Sequence, residues 1–231
     1  MTSADAAAAV LGGTELFAGL DDEAMAQVEA RARLRRYRRG ETIFLEGDAG
    51  DGLFAVVSGL VKVFVTSPRG EELVLATVRP GEMFGELALI DGGGRSACAE
   101  AVEASELVSL DRASFVELLR QRPELVDRLL RTLGSLVRRL TGQAGDLVFL
   151  DLHARIAKLL LSLADQHTGG AGPQEDIDVP FSQSDLARMV GASRQTVNQI
   201  LRSFQATGFI ALSGRHLRIL RADALRKRAG S

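Results

Sequence analysis

The 231-residue sequence predicts an α+β chain in three parts: an antiparallel β-roll, a long helix with an apolar seam, and a C-terminal winged helix-turn-helix. Three observations carry this prediction. From Gly40 to Asp111, short β-rich runs close on Gly or Pro-Gly at regular intervals. Beyond residue 121, leucines recur at steps of four and three. Over 181–220, two capped helical stretches flank a glycine and lead into two short β-rich runs.

Residues 14–37 read as helical, with Leu16, Phe17, Leu20, Met25 and Val28 on the apolar face. The runs ETIFLEG, DGLFAVVSG, LVKVFVTSPRG, EELVLATVRPG, SACAEAVE and ELVSLDR read as strands. No long helical crossover lies between them, which favours an antiparallel sandwich or barrel over a parallel α/β sheet. Pro123 suits the first turn of the next helix. Leu129, Leu133, Leu136 and Leu140 form its seam, flanked by Leu130, Val137, Ala144 and Leu147. That stripe is wider than one face, so part should meet the sheet and part a second copy of the chain. Gly142 and Gly145 each weaken a helix by about 1 kcal/mol relative to Ala, leaving the far end of the seam easy to melt. A further amphipathic helix is expected over 152–166, then a surface loop, HTGGAGPQED. The expected domains are 12–120, 121–148 and 149–231.

Composition excludes several classes of function. No apolar run approaches a membrane span, and MTSADAAAAV lacks the positive start of a secretion signal, so a cytoplasmic protein is expected. A single cysteine, Cys98, permits no internal disulfide and reads as a small buried strand residue. His153, His167 and His216 lack metal-ligand spacing, and no metal or cofactor is expected. Neither histidines nor carboxylates form the base or metal cluster that phosphodiester hydrolysis would need, which argues against an enzyme. The arginine run RARLRRYRR (31–39) reads as a solvated edge of the barrel.

Charge is unevenly spread. Residues 181–231 hold nine Lys/Arg against two acids, Asp185 and Asp223, which points to a polyanion partner. Ser182 and Asp185 approach a capping box, Gly191 permits a tight turn, Ser193 caps the second helix and Gly208 ends it. Leu186, Val190, Val197, Ile200 and Leu201 should pack the pair. The second helix opens with Arg194, Gln195, Thr196, Asn198 and Gln199, side chains able to read base edges in a major groove of double-stranded DNA. A wing turning at Ser213-Gly214 would place Arg215, His216 and Arg218 for phosphates, and Ser182, Gln183 and Ser184 complete the expected DNA-binding set.

RRGETIFLEGDAGDGLFAVVSGLVKVF (38–64), FGELALIDGGGRSA (84–97), DLVFLDLHARIAKLLLSLA (146–164) and LARMVGASRQTVNQIL (186–201) resemble the cyclic AMP receptor protein/fumarate-nitrate regulator family of bacterial transcription regulators. The resemblance runs from about Leu16 to about Leu220. It implies a homodimer joined through residues 124–147, a cyclic nucleotide effector (cyclic AMP or cyclic GMP), a palindromic DNA site and RNA polymerase as a further partner. FGELALIDGGGRSA resembles the family's phosphate cassette. In it Gly85 would let backbone approach the ligand, the amides of Glu86, Leu87 and Ala88 would meet the anion, and Arg95 and Ser96 would hold the cyclic phosphate. The Glu86 carboxylate would accept from the ribose 2′-hydroxyl. Leu75 and Val78 would wall the base.

Two positions depart from the family. Where the cyclic AMP receptor contacts adenine with a consecutive Thr-Ser, this chain has Leu140 and Thr141, so adenine and guanine stay open. Relatives reading TGTGA-type half-sites usually open the recognition helix with Arg-Glu-Thr; here it is Arg194-Gln195-Thr196, with Gln199 replacing a later Arg. Gln matches adenine better than cytosine, so an altered base in each half-site is expected. The alternative is a family member with a different ligand or none. Haem-sensing relatives use a sensor-domain histidine, and residues 1–150 hold none; redox-sensing relatives use N-terminal cysteines, also absent.

Overall fold

The structure, a computed structural model, describes residues 10–14, 16–168, 182–213 and 216–230. The chain divides into two compact units, Met1–Val65 with Leu75–Val137, and Thr66–Val74 with Arg138–Ser231.

In the first unit, helix α1 (Asp22–Arg31) starts where the Asp21 carboxylate accepts from the Ala24 amide at 2.7 Å. The single helix expected over 14–37 is corrected here. Residues 16–19 form turns that still bury Leu16 and Phe17, and 33–37 is a strand. RLRRY has no intrinsic bias against helix. Pairing along a neighbouring strand decides it, because that ladder satisfies the backbone and sends Leu34 into the core.

The strands are β1 (Arg33–Tyr37), β2 (Thr42–Phe44), β3 (Gly52–Ser58), β4 (Val61–Thr66), β5 (Glu72–Val78), β6 (Met83–Phe84), β7 (Cys98–Ala101) and β8 (Ser105–Asp111). They make two four-stranded sheets, ordered β1-β8-β3-β6 and β2-β7-β4-β5. The described pairings are antiparallel, as expected for the roll. Alternation along β3 and β8 builds a core on each face. Leu53, Ala55, Val108 and Leu110 pack with Leu16, Phe17, Val28 and Phe115. Phe54, Val56 and Leu107 pack with Val61, Val78 and Phe84. Cys98 is buried in β7, and its sulfur accepts from the Glu46 amide at 3.3 Å.

A short helix α2 (Leu87–Asp91) links β6 to β7, and α3 (Arg112–Gln121) follows β8, capped by Asp111. Helix α4 (Pro123–Phe149) is 27 residues long. Leu125 and Leu129 enter the first core and Leu133 packs against it, while Leu130 is 61% exposed and Val137, Leu147 and Phe149 are also exposed.

The second unit holds α5 (Leu152–Thr168), α6 (Gln183–Val190), α7 (Arg194–Ala206), β9 (Ile210–Ser213), β10 (His216–Ile219) and α8 (Ala222–Ala229). Leu186, Val190, Val197, Ile200 and Leu201 are all buried. Asp151 opens α5, accepting from the Ala154 amide at 2.8 Å, and Arg228 of α8 donates to both its oxygens at 2.9 and 2.7 Å. The Arg228 hydrogen bonds, then the Ala154 amide, hold its carboxyl below the ordinary carboxylate range. The stability this contributes is complete above the unfolded carboxyl's pKa and is lost as pH falls through the lowered folded value. Arg228→Ala should therefore reduce the fall in melting temperature between neutral and acid pH, measured by circular dichroism.

Candidate ligand pocket and nucleic-acid interface

The cassette is assembled by backbone first. Gly85 follows β6 with φ +84°, a left-handed conformation in which side chains are strained. A Cβ there would stand 2.8 Å from Arg95 Nη1. Glu86 then begins the single turn α2, and its carbonyl accepts from the Leu89 amide at 3.0 Å. The amides of Glu86, Leu87 and Ala88 thus lie at the start of that turn, where a helix has no backbone acceptors of its own to offer. Ala88 is buried beneath it, and Leu87 is partly exposed.

Arg95 is 3% exposed. Its Nη1 donates to the Gly85 carbonyl at 2.8 Å and its Nη2 to Asp51 Oδ1 at 3.1 Å. The guanidinium carbon lies 4.3 Å from the centre of the Phe44 ring and 5.6 Å from that of Phe54. Burial pulls its pKa below the ordinary arginine value, opposed by the carboxylates of Asp51, Asp48 and Glu86. Arginine holds its proton through such a change. Its Nε is buried with no hydrogen-bond partner among the described residues. A cation with an orphaned donor, beside a glycine and a carboxylate, suits a ligand carrying an oxyanion and a hydroxyl.

Of the expected pocket residues, the structure brings Gly85, Glu86 and Arg95 together. Val78 is buried in the neighbouring core and Leu75 is half-buried on β5. Ser96 is exposed. Leu140 and Thr141 are exposed on α4, in the portion that belongs to the second unit. Sequence reasoning missed Asp51, Phe44 and Phe54. Asp51 is 44 positions from Arg95, and no local pattern marks it as the partner.

The DNA reader has the expected local chemistry. Ser182 accepts from the Asp185 amide at 3.2 Å, and its own amide donates to Asp185 Oδ2 at 2.8 Å, a complete capping box. Gly191 has φ +65°, as the turn requires. Ser193 accepts from the Thr196 amide at 3.1 Å. Arg194, Gln195, Asn198, Gln199 and Arg202 line one concave surface along α7. Thr196 sits apart from them, its hydroxyl 2.8 Å from Ser193 Oγ in the cap. The Ser182 hydroxyl is likewise committed to Asp185 at 2.7 Å, while Gln183 and Ser184 are half-buried in the first turn of α6. Arg202 was missed, although it stands one helical turn beyond Asn198, so helix spacing could have found it. β9 and β10 pair as the wing, with Arg218 opposite Ala211. The expected turn at Ser213-Gly214, Arg215 and the His216 side chain lie outside the described residues.

Two family models match: a cyclic nucleotide-binding domain over residues 34–122 and a Crp-like helix-turn-helix domain over 154–228. The chain is also 35% identical over 220 residues to a CRP-like cAMP-activated global transcriptional regulator of Mycobacterium tuberculosis, covering 95% of this chain and 98% of that one. The chain belongs to the CRP/FNR family of bacterial transcription regulators.

Within the CRP/FNR family, it is 36% identical over 200 residues to the cyclic AMP receptor protein of Thermus thermophilus, covering 87% of this chain and 89% of that one. Among solved structures, a CRP-family transcriptional regulator of Thermus thermophilus matches with a TM-score of 0.69 and 30% identity, covering 85% of this chain and 97% of that one. The chain is thus a DNA-binding transcription regulator of the type that responds to a cyclic nucleotide. Members of this family are regulators rather than enzymes.

Proposed function

We propose that cyclic AMP is the effector of this chain, and that it acts on a homodimer in the cytoplasm to orient two recognition helices on a palindromic DNA site. The observation that carries the reading is the buried Arg95 guanidinium, its Nε without a hydrogen-bond partner among the described residues, beside Gly85 and Glu86. The cyclic phosphate would take the guanidinium and the amides of α2, and Glu86 would accept from the ribose 2′-hydroxyl. Ser96 would add a hydroxyl donor. Cyclic AMP is favoured because the Mycobacterium tuberculosis and Thermus thermophilus relatives are named for it. Cyclic GMP is the second reading, supported by Leu140, which offers the base no hydrogen-bonding group. Calorimetric titration with each nucleotide decides. Preference for cyclic AMP supports the reading, preference for cyclic GMP replaces the effector, and binding of neither removes the pocket assignment.

The exposed apolar stripe on α4 supports dimerisation through that helix. Leu130→Glu should convert a dimer to a monomer in analytical ultracentrifugation. An unchanged sedimentation coefficient would place the dimer contact elsewhere. In such a dimer, two copies of α7 would read successive major grooves about 34–36 Å apart. RNA polymerase is the further partner that a DNA-bound regulator would address.

Helix α4 runs unbroken from the first unit into the second. Order around Gly142 and Gly145, beside the proposed base-contacting Thr141, is the proposed link between effector and DNA. A Cβ at Gly142 would meet nothing within 4 Å, so alanine fits there without clash. Gly142→Ala should stabilise the helix by about 1 kcal/mol and raise DNA affinity without nucleotide roughly fivefold. Fluorescence anisotropy on an operator duplex measures this; an unchanged unliganded affinity would count against the switch.

A further inference from the structure

The hairpin turn between β4 and β5 belongs to the second unit, with the helix-turn-helix. The turn is held locally. The Ser67 amide donates to the Glu71 carbonyl at 2.8 Å, and the Gly70 amide to the Ser67 carbonyl at 2.9 Å. The residues that follow it meet the DNA reader. Glu72 Oε2 lies 2.7 Å from Arg188 Nη1 of α6. A Cβ at Gly191, in the turn between α6 and α7, would meet Leu73 Cδ1 at 3.6 Å, so Leu73 rests on that turn.

Arg188 is the one Lys or Arg in α6, whose sequence is QSDLARMV. Its Nη2 lies 3.4 Å from Asp185 Oδ1, and its Nε donates to the Ser184 carbonyl at 3.4 Å, both within its own helix. Of these three partners, Glu72 alone comes from outside α6, 116 positions away in the chain. The two side chains of the Arg188–Glu72 pair are 36% and 24% exposed, so water screens the pair less than it would an open surface pair. Asp185 and Arg188 cancel within α6. With Glu72 against them, two carboxylates share one guanidinium, which leaves this group one negative charge. In a helix-turn-helix the first helix crosses the DNA backbone while the second enters the major groove. Here α6 is that first helix. Arg188 stands one turn beyond Ser184, in the same row of the helix surface. A guanidinium there suits a phosphate oxygen, and Glu72 offers it an oxyanion from within the chain.

We propose that Glu72 is an autoinhibitory stand-in for a DNA phosphate. It holds Arg188 and adds repulsion towards the backbone, so DNA must displace it before α6 closes on the duplex. Displacement frees Arg188 to neutralise one more phosphate. The contact weakens DNA binding without touching the base-reading side chains of α7, so the preferred sequence is unchanged. The proposal rests on the DNA-binding role of the helix-turn-helix and not on which nucleotide is the effector.

The test is fluorescence anisotropy of the full chain, without nucleotide, over a series of salt concentrations. The probe is a duplex that the wild-type chain selects from a random pool. Glu72→Gln keeps the shape of the side chain and removes its charge. It should bind roughly fivefold tighter than wild type, and its slope of log affinity against log salt should steepen by about 0.9, the value for one added phosphate contact. Glu71→Gln removes a neighbouring carboxylate that bonds to Ser67 instead, at 3.4 Å. It should keep the wild-type slope and gain less than about twofold. Added to Arg188→Gln, Glu72→Gln should leave the slope unchanged, because the freed cation is missing. A cooperative thermal melt shows that each variant is folded. Unchanged affinity and slope in Glu72→Gln would overturn the proposal. Weaker binding would overturn it too, making the pair a brace that holds α6 in its working position. Equal gains from Glu71→Gln, or from Glu72→Gln on the Arg188→Gln background, would reduce Glu72 to general charge and overturn it as well.

Discussion

Arg95→Leu should lower cyclic nucleotide affinity by roughly a hundredfold or more, and leave the melting temperature unchanged or raised. The two effects have different physical origins. A guanidinium paired with a phosphate in a desolvated pocket, once truncated, typically costs about 2–5 kcal/mol of binding, and about 1.4 kcal/mol is tenfold. Stability moves the other way. The Arg95 charge sits in a site where burial already works against it, and its partner Asp51 has a side chain that is 78% exposed. Removing the arginine therefore returns Asp51 to water rather than leaving a carboxylate buried. Leucine also packs against Phe44 and Phe54 without a charge to desolvate. Calorimetry with cyclic AMP, beside a thermal melt, reads both effects. A variant that lost nucleotide and stability together would make Arg95 a structural cation. Gly85→Ala provides the complementary loss: its Cβ meets Arg95 Nη1 and the backbone is strained at φ +84°, so affinity and stability should fall together.

The second large effect is on DNA. Arg194→Ala should weaken operator binding by about 1–3 kcal/mol and relax preference at one base pair, because a bidentate arginine to guanine carries that much discrimination. Gln195→Glu is more diagnostic. Glutamine offers an acceptor and a donor, matching adenine, whereas glutamate only accepts, matching the cytosine amino group. The variant should shift the favoured base from adenine towards cytosine at that position. Selection of half-sites from a random duplex pool would show it. An identical selected sequence would remove Gln195 from base readout. Both residues lie on the concave surface of α7 with Asn198, Gln199 and Arg202, so one groove can reach them together. Thr196 is tied into the cap with Ser193, and Thr196→Val should act chiefly on helix stability.

The helix-turn-helix was almost fully legible before folding, down to its caps. The Ser182–Asp185 box, the Gly191 turn and the Ser193 cap all join residues within a few positions of one another, so their physics is local. The strands were legible for a similar reason: period-2 alternation and glycine turns are written along the chain. The helix expected through residue 37 failed because β1 exists only where β8 comes to meet it, some seventy residues later.

The ligand pocket divides in the same way. Gly85, Glu86 and Arg95 stand in one short stretch with a recognisable spacing. Asp51 on Arg95, the aromatic rings flanking that guanidinium and the pairing of Arg36 with Glu106 could not be read there. By itself the sequence determined element types, caps, turns and the chemistry of the recognition helix, because these depend on neighbours a turn or a strand-step away. Tertiary structure alone decided which carboxylate holds Arg95 and which pairs with Arg36, because ion pairing depends on chain segments brought together only by the packed sheets.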